Sequence, residues 1–224
     1  MNIIILDTET TGLDESSSVI EVGAILYSTT TKAVLSQVSS LINWENMSNP
    51  AQPINKISVE MLKEGAAQES ALDMIYSMSV NVKYLLAHNT EFDKKQLQRV
   101  IGAGFGVNNV WVDTQDFTYP NSEYCKSTGL INLACAHSIP IIDCHRALDD
   151  CRTIAKLLST IPDLDSEIIK AARPKFLYRS LEEKPGTLSK QAGFKWHSLI
   201  PQAWAKKMPA EDAANLPFKT VLIE

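Results

Sequence analysis

Two carboxylates, Asp7 and Glu9, stand at the end of the apolar run Ile3-Ile4-Ile5-Leu6, in the stretch IIILDTETTG that closes at Gly12. Four consecutive large apolar residues are too few for a buried helix and predict a strand covered on both faces. Side chains alternate across a strand, so Asp7 and Glu9 emerge on one side and Thr8 on the other. Like charges held this close raise each other's pKa and need a proton or a cation between them. Hard oxygen ligands of this kind suit a hard divalent ion such as magnesium or manganese. A capped strand end with two solvated acids is the plain alternative, and a D-x-E pair alone does not decide between the two.

Helical periodicity turns two further acids inward. In the segment that follows HNTEF, Leu97, Val100 and Ile101 share a face with Asp93, while Lys94 and Lys95 turn away. A carboxylate on a buried face costs several kcal/mol, as an order of magnitude, unless it is paired, hydrogen-bonded or close to a metal. A bond to a backbone amide, or an exposed place in the first helical turn, is the other reading of Asp93. In the helix expected from Ala147 to Leu158, the apolar stripe is Ala147, Cys151, Ile154, Ala155 and Leu158. Asp149 falls on the opposite, polar face, whereas Asp150 lies at the border of the stripe and can look inward. His145 precedes this helix on the entering loop, where an imidazole can swing over a metal site and take a proton from water. A structural histidine is the alternative there.

Taken together, DTETTG at 7–12, AHNTEFD at 87–93 and HRALDD at 145–150 resemble the three motifs of the DnaQ-like 3′-to-5′ exonucleases, in the DEDDh subclass. Order and internal spacing agree. The resemblance takes in Ile20-Glu21-Val22-Gly23 and Val112-Asp113-Thr114 and spans about residues 3 to 158. It implies an α/β, ribonuclease H-like fold, a mixed five-stranded sheet flanked by helices, with two Mg2+ or Mn2+ ions. In that family's arrangement Asp7, Glu9 and Asp150 would hold the first metal, and Asp7 would bridge to the second. Asp93 would support the second directly or through water, and His145 would be the general base. The implied activity is two-metal-ion phosphodiester hydrolysis that releases 5′-mononucleotides from DNA 3′ ends, single-stranded DNA being favoured. RNA 3′-end trimming, and a non-catalytic nucleic-acid-binding or polymerase-accessory subunit, are the alternatives. Thr10, Thr11, Leu13, His88, Asn89 and Phe92 match family positions near the terminal nucleotide, although Leu13 and Phe92 are equally suited to a core. Asn55-Lys56-Ile57-Ser58 departs from the His-Gly pair that many members carry before Ile-Thr. No tyrosine stands at position 145, which excludes the tyrosine subclass. Asp113 reads as a helix cap, Asp149 as solvated and Cys144 as packing.

The elements that must position these residues are legible in outline. Strands are expected at Ile3–Leu6, Val19–Tyr27, Ala33–Asn43, Tyr84–Ala87 and Val110–Val112, the first three as an antiparallel meander. Helices are expected at Ser58–Leu62, Gln68–Met78, Glu91–Ile101, Leu130–His137 and Ala147–Leu158, with a loop over 44–53. Pro162 and Ala171-Ala172-Arg173-Pro174 mark a break between an exonuclease domain at 1–170 and a small α+β module at 174–224. In the module, strands are expected at Phe176–Leu181 and Phe218–Ile223, a hairpin at Phe194–Lys207, and helices at Gly186–Ala192 and Pro209–Leu216. The AGFKW pattern, a second tryptophan and a basic pair resemble a module of some exonuclease-X-like proteins. Lys190, Lys195, Lys206 and Lys207 around Trp196 and Trp204 suit single-stranded nucleic acid or a repair or polymerase partner, or else a small core with solvated lysines. The net charge of −5 divides into an acidic body and a basic tail. Four cysteines without a C-x-x-C pair argue against a zinc or redox site, and the N-terminus lacks a basic leader. A cytoplasmic protein without a membrane partner is expected.

Overall fold

The computed structural model describes residues 1–14, 16–43, 48–121, 124–125, 127–182, 187–196 and 203–223. The chain forms two compact units, Met1–Ala172 and Arg173–Glu224. In the first, β1 (Asn2–Thr10), β2 (Val19–Ser28), β3 (Ala33–Leu41), β4 (Tyr84–Ala87) and β5 (Val110–Asp113) make one sheet in the order β3-β2-β1-β4-β5. β1–β2 and β2–β3 are antiparallel, whereas β1–β4 and β4–β5 are parallel. Short turns let the first three strands form the expected meander. The later strands are separated by helices long enough to carry the chain back across the sheet.

β1 is the centre of this sheet, and its four apolar residues are 0–1 % exposed. Ile3 and Ile5 pack with residues of α5 (Leu130–Ala136), α6 (Ala147–Thr160) and α7 (Leu164–Ala171). Ile4 and Leu6 pack on the other face with residues of α3 (Gln68–Ser79) and α4 (Thr90–Ile101). Each such side chain contributes roughly 1.5–3 kcal/mol by leaving water. That burial keeps the strand straight up to the point where its sequence turns acidic.

Two helices were not visible in the sequence. The loop expected over 44–53 contains the start of α1 (Gln52–Asn55), and its residues 44–47 lie outside the described residues. Pro53 reads as a breaker but is tolerated in a first helical turn, where its missing N–H has no partner to lose. α2 (Val59–Lys63) follows, capped by the Ser58 side chain, which accepts from the Met61 N–H. The break expected after Pro162 holds α7: Asp163 caps it by accepting from the Ser166 N–H at 3.1 Å, and Leu164, Ile168 and Ala171 bury one face. Pro162 ends α6 without preventing a new helix from starting two residues later.

In the second unit, β6 (Phe176–Ser180), β7 (Lys195–Trp196), β8 (Trp204–Met208) and β9 (Thr220–Leu222) form an antiparallel sheet in the order β7-β8-β6-β9. α8 (Leu188–Gln191) and α9 (Ala210–Ala214) complete it. Its core gathers Phe194, Met208 and Ala213, with Tyr178, Trp204, Leu216 and Phe218 packed against them. Gly186, at the start of the expected helix, and residues 197–202 of the expected hairpin lie outside the described residues. Among the described residues no helix is long and apolar enough to cross a membrane.

Gly23 of β2 pairs with Asp7, and α6 passes over it at backbone distance. A Cβ added there would lie 2.6 Å from Ala147 C and from Leu148 N, closer than any side chain tolerates. Gly23→Ala should therefore lift the first turn of α6 and cost about 1–3 kcal/mol in urea unfolding. Gly104→Ala, where an added Cβ meets nothing within 4 Å, should stay within about 0.5 kcal/mol of the parent.

Candidate active site

The alternation that buries Ile3 and Ile5 against α6 continues through β1, so Asp7 and Glu9 reach the same side. Thr8 follows Ile4 and Leu6 toward α4, where its N–H and hydroxyl donate to Asp93 Oδ1 at 2.9 and 2.8 Å. Asp93 is 3 % exposed, and the strand's own polar groups supply its partners. α4 begins after Asn89, which has a left-handed φ of 83° and gives no side-chain cap. Asp113 caps this helix from the end of β5, accepting from the Asn89 and Thr90 N–H groups at 3.1 Å each. It also accepts from the Gln115 N–H at 2.9 Å, the local cap expected of it. The cap on α4 joins residues more than twenty positions apart and has no local signal.

α6 delivers the remaining groups. Arg146 is its N-cap residue, and His145 before it is exposed with a left-handed φ of 63°. Ligand atoms of Glu9, His145 and Asp150 lie within 4.8 Å of one another. The backbone N–H of Asp150 donates to the Arg146 carbonyl at 2.9 Å, and against its burial the His145 backbone amide lowers the pKa of the Asp150 carboxyl. Asp149, expected to be solvated, is partly exposed and pairs with Arg152 at 2.9 Å.

Every acid of the cluster is held above its ordinary pKa. Burial pushes Asp7 well up, and repulsion from Asp93, Asp150, Glu9 and Glu21 adds to it. Glu9 is pushed up to about 8, first by burial and then by Asp150, Glu21 and Asp93, with Arg146 pulling the other way. Burial also raises Asp93 against the two Thr8 bonds, and Asp150 against the His145 amide. A cation would remove this repulsion and repay the desolvation, so the donor set fits a hard divalent ion.

Asp7, Glu9, His145 and Asp150 line a cavity of about 550 Å³, walled by Leu13, Ile54, Phe92, Leu130 and Ile131. Thr10, His88 and Asn89 also reach it. Leu13 is 88 % exposed and is no part of a core. Thr11 does not line the cavity; its hydroxyl accepts from the Ser18 N–H at 3.0 Å and closes the turn. Asp93 sits behind Thr8, also off the cavity lining. Both ring nitrogens of His88 are engaged, with Thr114 Oγ1 and the Thr128 carbonyl at 2.8 Å each. Burial pushes its pKa down, so the neutral ring ties the loop before α5 to the sheet. Ile54 and Ile131 were not anticipated; Ile54 fell between the expected loop and the next expected helix, and Ile131 in a helix whose partner was unknown. Asn55, at the departure from the His-Gly pattern, is 1 % exposed and donates to the Thr10 carbonyl at 3.2 Å. Lys56 takes the left-handed conformation, with φ 60°.

A five-stranded mixed sheet with inward acids at the end of its central strand is the ribonuclease H-like fold. The family model described as Exonuclease (RNase_T) matches residues 4–158, and the chain belongs to that family. Members of the family depend on divalent metal. No curated protein sequence matches the chain. The fold is similar to that of E. coli Exonuclease I in complex with a dT13 oligonucleotide, with TM-score 0.61 and 15 % identity over 81 % of this chain and 48 % of that one. Exonuclease X in complex with 5′ overhanging duplex DNA gives 0.56 and 19 % over 76 % and 99 %. The nuclease domain of 3′hExo, a DEDDh family member bound to rAMP, gives 0.57 and 16 % over 75 % and 93 %. The chain spans about half the length of the Exonuclease I structures it matches. The model of a domain of unknown function (DUF8626) matches residues 181–223.

Acids whose folded pKa is raised stabilise the fold only while protonated. Without divalent ions, stability should therefore fall as pH rises from about 4 through about 8, the Glu9 value. Adding Mg2+ or Mn2+ should restore the lost stability at the alkaline end, and Asp7→Asn should flatten the metal-free profile. Thermal unfolding across this pH range measures all three, and a flat metal-free profile for the parent would contradict the electrostatic account.

Proposed function

We propose that the chain removes 5′-mononucleotides from DNA 3′ ends in the 3′-to-5′ direction, using two Mg2+ or Mn2+ ions held by Asp7, Glu9, Asp93 and Asp150. The observation that carries this reading is the meeting of Glu9, Asp150 and His145 within 4.8 Å on a cavity that also exposes Asp7. When bound, such ions lower the pKa of a water and offset charge at the phosphate and leaving oxygen. His145 receives the water's proton at a ring nitrogen, and its exposure lets the proton pass to solvent. Asp93, with one oxygen fixed by Thr8, keeps the other directed by the same two bonds. Leu13, Phe92, Ile54 and Ile131 enclose the terminal base, which apolar groups can do without reading sequence.

The rAMP in 3′hExo favours RNA trimming as a second reading, and the DNA in Exonuclease I and Exonuclease X favours the first. A non-catalytic subunit would have no need to keep all four raised-pKa acids and the histidine. We assign the module at 174–224 to binding the nucleic-acid strand. Trp196, 53 % exposed beside the exposed Lys195, is its stacking surface. Trp204 is half-buried and meets Trp196 edge-on at 6.0 Å, and Lys206 is spent on the Ala192 carbonyl at 2.8 Å. A cytoplasmic role in repair or proofreading, beside a polymerase or repair partner, goes with this reading.

A 5′-labelled single-stranded DNA with Mg2+ should shorten stepwise to a ladder, and Asp7→Ala should reduce digestion to the no-enzyme background; undiminished digestion by that variant removes the mechanism. An RNA of equal sequence, run in parallel, should be cut more slowly, and faster RNA cleavage would put the trimming reading first. Trp196→Ala should weaken binding of a long oligonucleotide by roughly 1–3 kcal/mol while leaving the saturated rate unchanged. Unaltered binding would return the module to a structural role.

A further inference from the structure

β2 carries one charged residue, Glu21, in an otherwise uncharged strand. Glu21 is 2 % exposed and lies directly opposite Glu9 in the antiparallel ladder, so the two carboxylates share a face and repel. Arg146 answers that charge from the loop before α6. Its Nε donates to Glu21 Oε2 at 3.0 Å and its Nη2 to Oε1 at 2.8 Å, the forked geometry that only arginine offers. Glu21 Oε2 also accepts from the Ala147 N–H at 3.0 Å, which serves one of the orphan amides of the first turn. Glu21 thus grips two successive residues at the head of the helix that carries Asp150. The bare backbone of Gly23, on the same strand, lets that turn lie flush.

The residue on the other side of this grip is His145. Its backbone is left-handed, a conformation that persists in a non-glycine residue only where its surroundings hold it. Among the described residues no hydrogen bond holds its ring, so the imidazole's place beside Glu9 and Asp150 is set by the backbone on either side. A buried ion pair adds little stability over apolar packing, and fixing one arrangement is its best-attested use.

We propose that Glu21 and Arg146 are positioning residues, whose partly buried pair locks the turn at 145 and so presents the His145 imidazole to Glu9 and Asp150. The inference rests on the reading of His145 as the proton acceptor of the nuclease reaction. It gives Arg146 a role that a substrate contact would not need, because its guanidinium is turned to Glu21.

Arg146→Lys keeps the charge and loses the fork, and Glu21→Gln keeps the size and the bond to Ala147. Both variants should fold with unchanged circular dichroism. Each should lower kcat about 10–100-fold, with KM for the oligonucleotide and Mn2+ affinity within about twofold of the parent. His145→Ala should be at least as slow, and adding Arg146→Lys to it should cost no further rate, because the pair acts through that ring. A second readout needs no turnover. Of the four histidines, His88 and His145 line the cavity, so Mn2+ should broaden the NMR ring signals of both; the broadening of the signal missing in His145→Ala, relative to that of His88, should fall severalfold in Arg146→Lys and Glu21→Gln. Unreduced kcat, additive losses in the double variant, or unchanged broadening would overturn the proposal. Should the parent show no digestion at all, the nuclease reading fails while the broadening still decides the role of the pair.

Discussion

Carboxylates from three separate segments converge in a partly desolvated space, and their mutual repulsion is the constraint that the rest of this structure answers. Asp7 and Glu9 come from the central strand, Asp93 from α4 and Asp150 from α6. Burial is the largest contribution to the raised pKa of each, and repulsion from neighbouring acids enters for all four. Such a cluster cannot be what holds the fold together. The unfavourable work is done against the apolar interior on both faces of β1, where Ile3 to Leu6 are almost completely removed from water.

Polar contacts then convert a tolerated cluster into an ordered one. Thr8, pointing away from Asp7 and Glu9, uses its amide and hydroxyl to fix Asp93. Asp113 supplies from β5 the cap that α4 lacks locally, and Glu21 binds the head of α6. His88 ties the loop ahead of α5. Each of these links joins the neighbourhood of one catalytic-motif residue to a different strand, so the separation of the acids is fixed by the sheet rather than by flexible loops. Pre-organisation of this sort is what hydrolysis at a phosphodiester requires, since there is little covalent chemistry for the protein to perform.

The second unit has a different physical character. Its small core around Phe194 and Met208 is closed by Trp204, Tyr178 and Phe218, which leaves Trp196 and several lysines on its surface. The net charge thus differs in sign between the acidic body and the basic tail, and lysines attract a polyanion that uncompensated acids repel.

The apolar run before Asp7 established the central strand, and the period-2 alternation established that Asp7 and Glu9 share a side. The 3.6-residue period turned Asp93 and Asp150 inward, and the three motifs in order indicated the family. These features are local or depend on order along the chain, so sequence carries them. The helices at 52–55 and 164–171 were obscured because proline signals a break and a first helical turn alike. The cap that Asp113 gives to α4, the second wall of the cavity at Ile54 and Ile131, the withdrawal of Thr11 into its turn and the grip of Glu21 on Arg146 were decided only by tertiary structure. Each depends on which strand lies beside which and on the register between them, and a sequence does not state its own register until its elements have packed.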